Sequence, residues 1–260
     1  MTDDRVASVS PTDLYAVFGS AAAPVVVDVR GDLPARGEPI LAGAAWRPAQ
    51  DADEWRAELP KGRSVVVYCA DGAGLSPGAA TSLRQNGVPA SYLAGGLKAW
   101  TDAKLPLRRA RGAEQNASRW VTREHPKIDR IACPWLVSRF VDPFAEFIYV
   151  PANNVASFAL EKGAIPYDIK NVEFGHVGDR CSFDAIVSAY DIHDAALDQL
   201  ATIVRGADTS RPDLTPQCEG LLAISHGLSS NFPDDHEMLK HGLVIYDALY
   251  RWCRLQNAKH

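Results

Sequence analysis

The sequence predicts two units of different build: an α/β unit with a parallel sheet and flanking helices, then a mainly helical α+β unit. Three observations carry that prediction. Two runs dense in β-branched residues, Val25-Val26-Val27-Asp28-Val29-Arg30 and Ser64-Val65-Val66-Val67-Tyr68, are separated by helix-like sequence. Apolar runs of this length suit strands buried on both faces, which is the pattern of a parallel sheet. Beyond residue 118 the texture becomes helical. Charge is also shared unequally: residues 1–110 hold 12 acidic and 12 basic side chains, and residues 111–260 hold 20 and 15, so the net charge of −5 lies wholly in the second part.

In the first unit, Ser10-Pro11-Thr12-Asp13-Leu14 reads as a capped helix start, with Pro11 suited to the first helical position. The first β-branched run follows, then a short helix over residues 51–59 closed by Pro60, then the second run ending at Cys69. An Ala-rich helix over residues 79–85 stops at Asn86-Gly87, a good C-cap. Ala90-Ser91-Tyr92-Leu93 is a short strand, and Gly95-Gly96 opens a helix through Trp100. Strands alternating with helices make an α/β domain over residues 6–107.

Residues 108–118 lack apolar periodicity and read as a linker to a second domain over residues 119–256. Helical spacing there covers Ile131–Phe140, Asn153–Lys162, Phe183–Tyr190, Ala195–Arg205, Cys218–Leu228 and His236–Leu255.

At 260 residues, 47% hydrophobic and 23% charged, the chain is an ordinary globular one that needs neither disulfide nor structural metal to fold. Its acidic balance argues against nucleic acid as a partner. No segment reaches the ~18 apolar residues of a membrane helix, so no membrane partner is expected. Met1-Thr2-Asp3-Asp4-Arg5 does not resemble a signal peptide. The cysteines at 69, 133, 181, 218 and 253 are odd in number, scattered and without a C-x-x-C pair. Reduced thiols and a cytoplasmic location are expected.

Cys69 ends a buried strand, opens a glycine-bearing loop and precedes a helix. Amides of such a loop point at the sulfur, and the positive helix end favours a thiolate. The alternative is a buried small hydrophobe, which leaves the glycines unexplained. With "VVVDVR" at 25–30, "AGAAWRP" at 42–48, Cys69 after "VVVY" and "YLAGGLKAW" at 92–100, the first domain resembles the rhodanese family. The resemblance implies a sulfurtransferase nucleophile at Cys69 carrying sulfane sulfur as a persulfide. The active-site loop would be Ala70, Asp71, Gly72, Ala73, Gly74, Leu75 and Ser76, and small thiols or sulfur donors and acceptors the partners. The loop departs from the family pattern: residues 70–78 hold no cation, it is one residue longer, and Asp71 adds a negative charge. Asp71 is expected to raise the thiol's pKa and repel thiosulfate. Whether the chain is an enzyme stays open between an atypical sulfurtransferase and a catalytically inactive module.

The second domain resembles the ChrB-like chromate-resistance C-terminal domain. The resemblance rests on residues 120–152, "GAIPYDIKNVEFGHVGDRCSFDAIV" at 163–187, and the stretches 203–229 and 234–252. A rhodanese-like unit fused to it is similar to the sulfurtransferase/chromate-resistance arrangement. The resemblance implies a role in chromate stress, with chromate or another oxyanion as a ligand; the alternative to an enzyme is then a catalytically inactive rhodanese-like module in a chromate or metal sensor or regulator. From the residues themselves, Glu173, His176, Asp208, Asp235 and His236 are candidate metal ligands, a set suited to iron, manganese or zinc. Equally, these residues would be caps and ion pairs, for example Asp129 or Glu173 with Arg205. Arg123, Lys127 and Arg130 are candidate anion-binding cations, or else a solvated face.

Overall fold

Buried valines dictate the first unit. In the computed structural model, which describes residues 6–112 and 114–258, all four residues of both β-branched strands are buried. In chain order the unit runs β1 (Ser8–Val9), α1 (Pro11–Ala16), β2 (Val25–Asp28), β3 (Pro39–Leu41), β4 (Ala44–Trp46), α2 (Ala52–Trp55), β5 (Val65–Tyr68), α3 (Leu75–Gln85), β6 (Ala90–Leu93), α4 (Gly96–Asp102) and β7 (Leu107–Arg109). Five strands form a parallel sheet in the order β1-β6-β5-β2-β4. The chain leaves β2 toward β4 on one flank, then returns to β5 on the other and moves on to β6. The carboxyl ends of β2 and β5 are therefore a topological switch point, where open α/β sheets bind ligands. Arg30 follows one of these strands and Cys69 the other.

Local chemistry follows the expected devices. The Asp13 amide donates to the Ser10 hydroxyl at 3.1 Å to cap α1. Gly87, at φ +79°, turns the chain after α3. That helix begins at Leu75, four residues earlier than its Ala-rich stretch suggests. The segment read as one short helix is α2 flanked by two 3-10 turns. Arg108 and Arg109, read as the start of a linker, lie in β7, which pairs antiparallel with β3. Two compact units result: residues 6–18, 22–112, 114–116 and 139–143 form the first, and residues 19–21, 117–138 and 144–258 the second.

The second unit contains β8 (Arg119–Arg123), α5 (Asp129–Leu136), β9 (Glu146–Val150), α6 (Val155–Lys162), β10 (Ile165–Pro166), α7 (Ser182–Ala189), α8 (Ala195–Asp208), α9 (Gln217–Asn231) and α10 (Asp235–Asn257). A small parallel sheet, β10-β8-β9, packs its apolar face with Val121 and Ile148 against Val155 and Ala159 of α6. Trp135 of α5 contacts the rings of Phe183, Tyr246 and Tyr250, tying α5, α7 and α10 into one core. Among the described residues no helix is long and apolar enough to cross a membrane.

Candidate functional site

Two polar centres stand out, one in each unit. In the first, β5 delivers Cys69 to the loop ahead of α3. The Cys69 Sγ lies 3.2 Å from the Ser76 hydroxyl, which is fully buried, and 3.7 Å from Asp71 Oδ1. Burial opposes ionisation of the thiol. The Ser76 hydroxyl and the amides of Ser76, Asp71 and Gly72 outweigh it and lower the pKa below the ordinary thiol value. The net direction is opposite to the one expected from Asp71. Its exposed carboxylate accepts the Ala73 amide at 3.0 Å and the Cys69 thiol at 3.7 Å, and is itself held below its usual range, chiefly by the Ala73 bond. The Ser76 hydroxyl and the backbone donors outweigh that nearby charge.

The glycine pair of "YLAGGLKAW" has a specific task. Gly96 adopts φ +58°, and a Cβ there would lie 2.4 Å from the Cys69 carbonyl oxygen and 2.6 Å from the Gly72 amide. The close approach lets the α4 amides of Leu97 and Lys98 donate to the carbonyls of Cys69 and Ala70 at 2.9 and 3.0 Å. These bonds pin the loop. Asp28, fully buried, accepts from the Arg30 guanidinium, the Arg30 amide and the Tyr68 hydroxyl, so the pair braces the ends of β2 and β5. Beside the loop lies an open cleft of about 340 Å³, lined by Arg30, Ala70, Leu97, Lys98, Thr101 and Asp102. The two cations of that lining are already paired with carboxylates, Arg30 with Asp28 at 2.7 Å and Lys98 with Asp102 at 2.6 Å.

In the second unit, His176 Nε2 faces three carboxylates: Asp208 Oδ2 at 3.1 Å, Asp168 Oδ1 at 3.3 Å and Asp129 Oδ2 at 3.4 Å. Asp129 opens α5 and Asp208 ends α8. Asp168 follows β10 in the left-handed region, φ +51°, which aspartate tolerates. Gly175 permits the approach of His176, since a Cβ on it would lie 2.5 Å from the Ile169 carbonyl oxygen. The residue before Asp129 is strained: Ile128 has φ +28°, unusual for a β-branched residue. Its amide donates to the Ser225 hydroxyl at 2.9 Å and its carbonyl accepts the Tyr246 hydroxyl at 3.1 Å. Both bonds hold the strained turn in place.

Hydrogen bonding and charge from Asp129, with Asp208 and Asp168, raise the His176 pKa to about 9 despite partial burial. Burial, then the Asp129 and Asp168 charges, raises Asp208 to about 7, and burial likewise raises Asp129. The centre therefore attracts positive charge, whether a proton or a cation.

Of the candidate metal ligands, the structure brings together His176 and Asp208 and adds Asp129. Glu173, Asp235 and His236 do not join them. Glu173 is exposed, Asp235 accepts the His125 amide, and the His236 ring packs 5.6 Å from that of Tyr149. The candidate anion cations are also reassigned. Arg123 and Arg130 converge on Asp168 at 2.8 and 3.2 Å, so a protein carboxylate holds the place of the anion, and Lys127 is exposed. Arg205 pairs with Asp184, not with Asp129 or Glu173. Asp168 stands outside the set that sequence alone suggests. Its one signal is its place in the "YDIKNVEFGH" stretch shared with His176. Cys133 and Cys181 are buried thiols whose pKa burial pushes up.

A family model described as "ChrB, C-terminal domain" matches residues 120–253, which is more than half the chain. The chain belongs to the ChrB C-terminal-domain family. A second model, "Rhodanese-like domain", matches residues 10–103, so a rhodanese-like unit precedes the ChrB-type domain. Protein ChrB of Cupriavidus metallidurans is 29% identical over 132 residues, covering 50% of this chain and 39% of that relative, so the chain spans about two-fifths of its length. Among solved structures, the chain is similar to a rhodanese homolog from the extremely thermophilic bacterium Thermus thermophilus (34% identity, 36% of this chain and 99% of that one, TM-score 0.30). It is also similar to a rhodanese-related protein from Thermoplasma volcanium (25% identity, 38% and 95%, TM-score 0.32). The members of the second centre, Asp129, Asp168, His176 and Asp208, all fall inside the ChrB-type match.

Proposed function

We propose that the chain is a cytoplasmic chromate-stress protein whose rhodanese-like unit carries sulfane sulfur on Cys69. The observation that carries this reading is the cradle around Cys69 Sγ: the buried Ser76 hydroxyl at 3.2 Å, with amides of Asp71, Gly72 and Ser76 that lower the thiol's pKa. The Cys69 thiolate attacks the terminal sulfur of a persulfide donor, R–S–SH. A new S–S bond forms at Cys69, the donor's S–S bond breaks, and its electron pair leaves with the thiolate RS⁻; the terminal sulfur keeps its proton. An acceptor thiolate then attacks that terminal sulfur and releases the Cys69 thiolate into the amide cradle, where the returning charge is stabilised. No oxidant or reductant is consumed.

A loop with no cation favours small thiol persulfides over thiosulfate, whose dianion nothing in the loop offsets. The unpaired state of all five cysteines supports a reducing compartment.

The test is sulfur transfer by the full chain from glutathione persulfide and from thiosulfate, alongside Cys69→Ser, with mass spectrometry for one added sulfur on Cys69. Faster turnover from the persulfide, lost in the variant, is expected. Equal rates in the two proteins, or no sulfur on Cys69 from either donor, would favour the inactive sensor module instead.

A further inference from the structure

We propose that Asp129, His176 and Asp208 form a mononuclear site for a first-row divalent cation in the ChrB-type domain, with Asp168 as a further oxygen donor at its edge. One ligand atom from each of the three lies within 4.8 Å of the others, and His176 Nε2 sits 3.1, 3.4 and 3.3 Å from oxygens of Asp208, Asp129 and Asp168. Ligands bound at ~2.1 Å stand about 3.0 Å apart along an octahedral edge and about 3.4 Å apart in a tetrahedron. The separations around Nε2 fall in that range before any ion draws them in.

Asp129 is wholly buried: its Oδ2, the oxygen 3.4 Å from His176 Nε2, accepts the Ser182 amide at 2.6 Å, and its Oδ1 receives no hydrogen bond. A buried carboxylate oxygen without a donor is costly unless a cation meets it. Asp208 adds to the imbalance, because it is the last residue of α8, where the carbonyl end of the helix is already negative.

Outer contacts are also in place. Arg123 and Arg130 orient Asp168 at 2.8 and 3.2 Å, and the Ser182 amide fixes Asp129. The site is reachable, since the His176 side chain is 41% exposed. One imidazole with carboxylate oxygens suits manganese(II), iron(II) or zinc(II) in preference to copper(I), which takes sulfur. The proposal concerns the second unit and stands apart from the Cys69 reading.

The experiment uses the full chain, stripped with chelator and titrated with Mn²⁺. Free Mn²⁺ is followed by electron paramagnetic resonance, and nitrogen coupling to the bound ion by electron spin-echo modulation. Zn²⁺ is run as a competitor. One equivalent bound, displaced by Zn²⁺ and coupled to an imidazole nitrogen, is the expected result. His176→Gln and Asp208→Asn should each weaken binding at least tenfold while the chain stays folded by circular dichroism. Failure of the wild type to bind one equivalent of either ion overturns the proposal, as does bound Mn²⁺ with no nitrogen coupling or wild-type affinity in a folded variant. If one variant does not fold, the other variant and the wild-type nitrogen signal still decide.

Discussion

Replacing Ser76 by alanine isolates one donor of the Cys69 cradle, and its effect can be worked through. The hydroxyl sits 3.2 Å from Sγ, while the amides of Ser76, Asp71 and Gly72 remain after the change. A hydrogen bond to a charged group contributes about 1.5 kcal/mol at the low end, which is the end that applies with other donors present. That corresponds to roughly a tenfold smaller thiolate fraction on the acidic limb of a pH–rate profile. The thiolate that does form is a better nucleophile, and a Brønsted slope of about 0.4–0.5 returns roughly threefold. Alkylation of the variant by iodoacetamide should therefore be about threefold slower than wild type at acidic pH. At alkaline pH, where both thiols are ionised, it should be about threefold faster. The two profiles must cross. Mass mapping of the alkylated peptides assigns the signal to Cys69 among the five free thiols. Parallel profiles that do not cross would refute the claim that the hydroxyl donates to the thiolate.

Three other substitutions test the supports of the two centres. Arg30→Ala leaves the fully buried Asp28 with the Tyr68 hydroxyl and one amide, and should destabilise the chain by about 3 kcal/mol in urea unfolding; a loss below ~1 kcal/mol contradicts the bracing role. Gly96→Ala forces the backbone away from Cys69 and Gly72, so alkylation of Cys69 at neutral pH should fall roughly tenfold or more in a chain still folded by circular dichroism. Asp184→Ala removes the partner of Arg205 and of the Cys181 amide at the start of α7, with an expected cost of about 2–3 kcal/mol by thermal or urea unfolding.

The first unit is legible in the sequence because its determinants are local. Consecutive valines name β2 and β5, Ser10 names a cap, and Cys69 followed by glycines names a strand-to-helix turn. The net state of the thiol is not legible, because sequence shows the charge of Asp71 and not the donors that outweigh it. In the second unit the helices are legible from their spacing, but the sheet is not. Trp120, Val121 and Thr122 of β8 are buried between two arginines, and β10 has only two residues. The polar centre is half visible. His176 and Asp208 carry the right chemistry, yet Asp129 and Asp168 join them only because the start of α5 and the end of β10 meet the end of α8 in the fold. Conversely, Asp235 and His236 look like ligands because they adjoin, while the fold spends them on a backbone amide and a tyrosine ring.

The Cys69 cradle is made largely of peptide N–H groups, and this changes how the chain tolerates sequence drift. A site built from arginines is erased by any mutation that removes them. Here Ala70, Ala73 and Leu75 are exposed, so changes to their side chains should leave the backbone groups of Asp71, Gly72 and Ser76 in place. Vulnerability is concentrated at Cys69, Ser76 and Gly72, where φ is +75° and a Cβ would lie 2.7 Å from the Gly95 amide, so a saturation scan of residues 69–78 should read as a few intolerant positions in an otherwise permissive background.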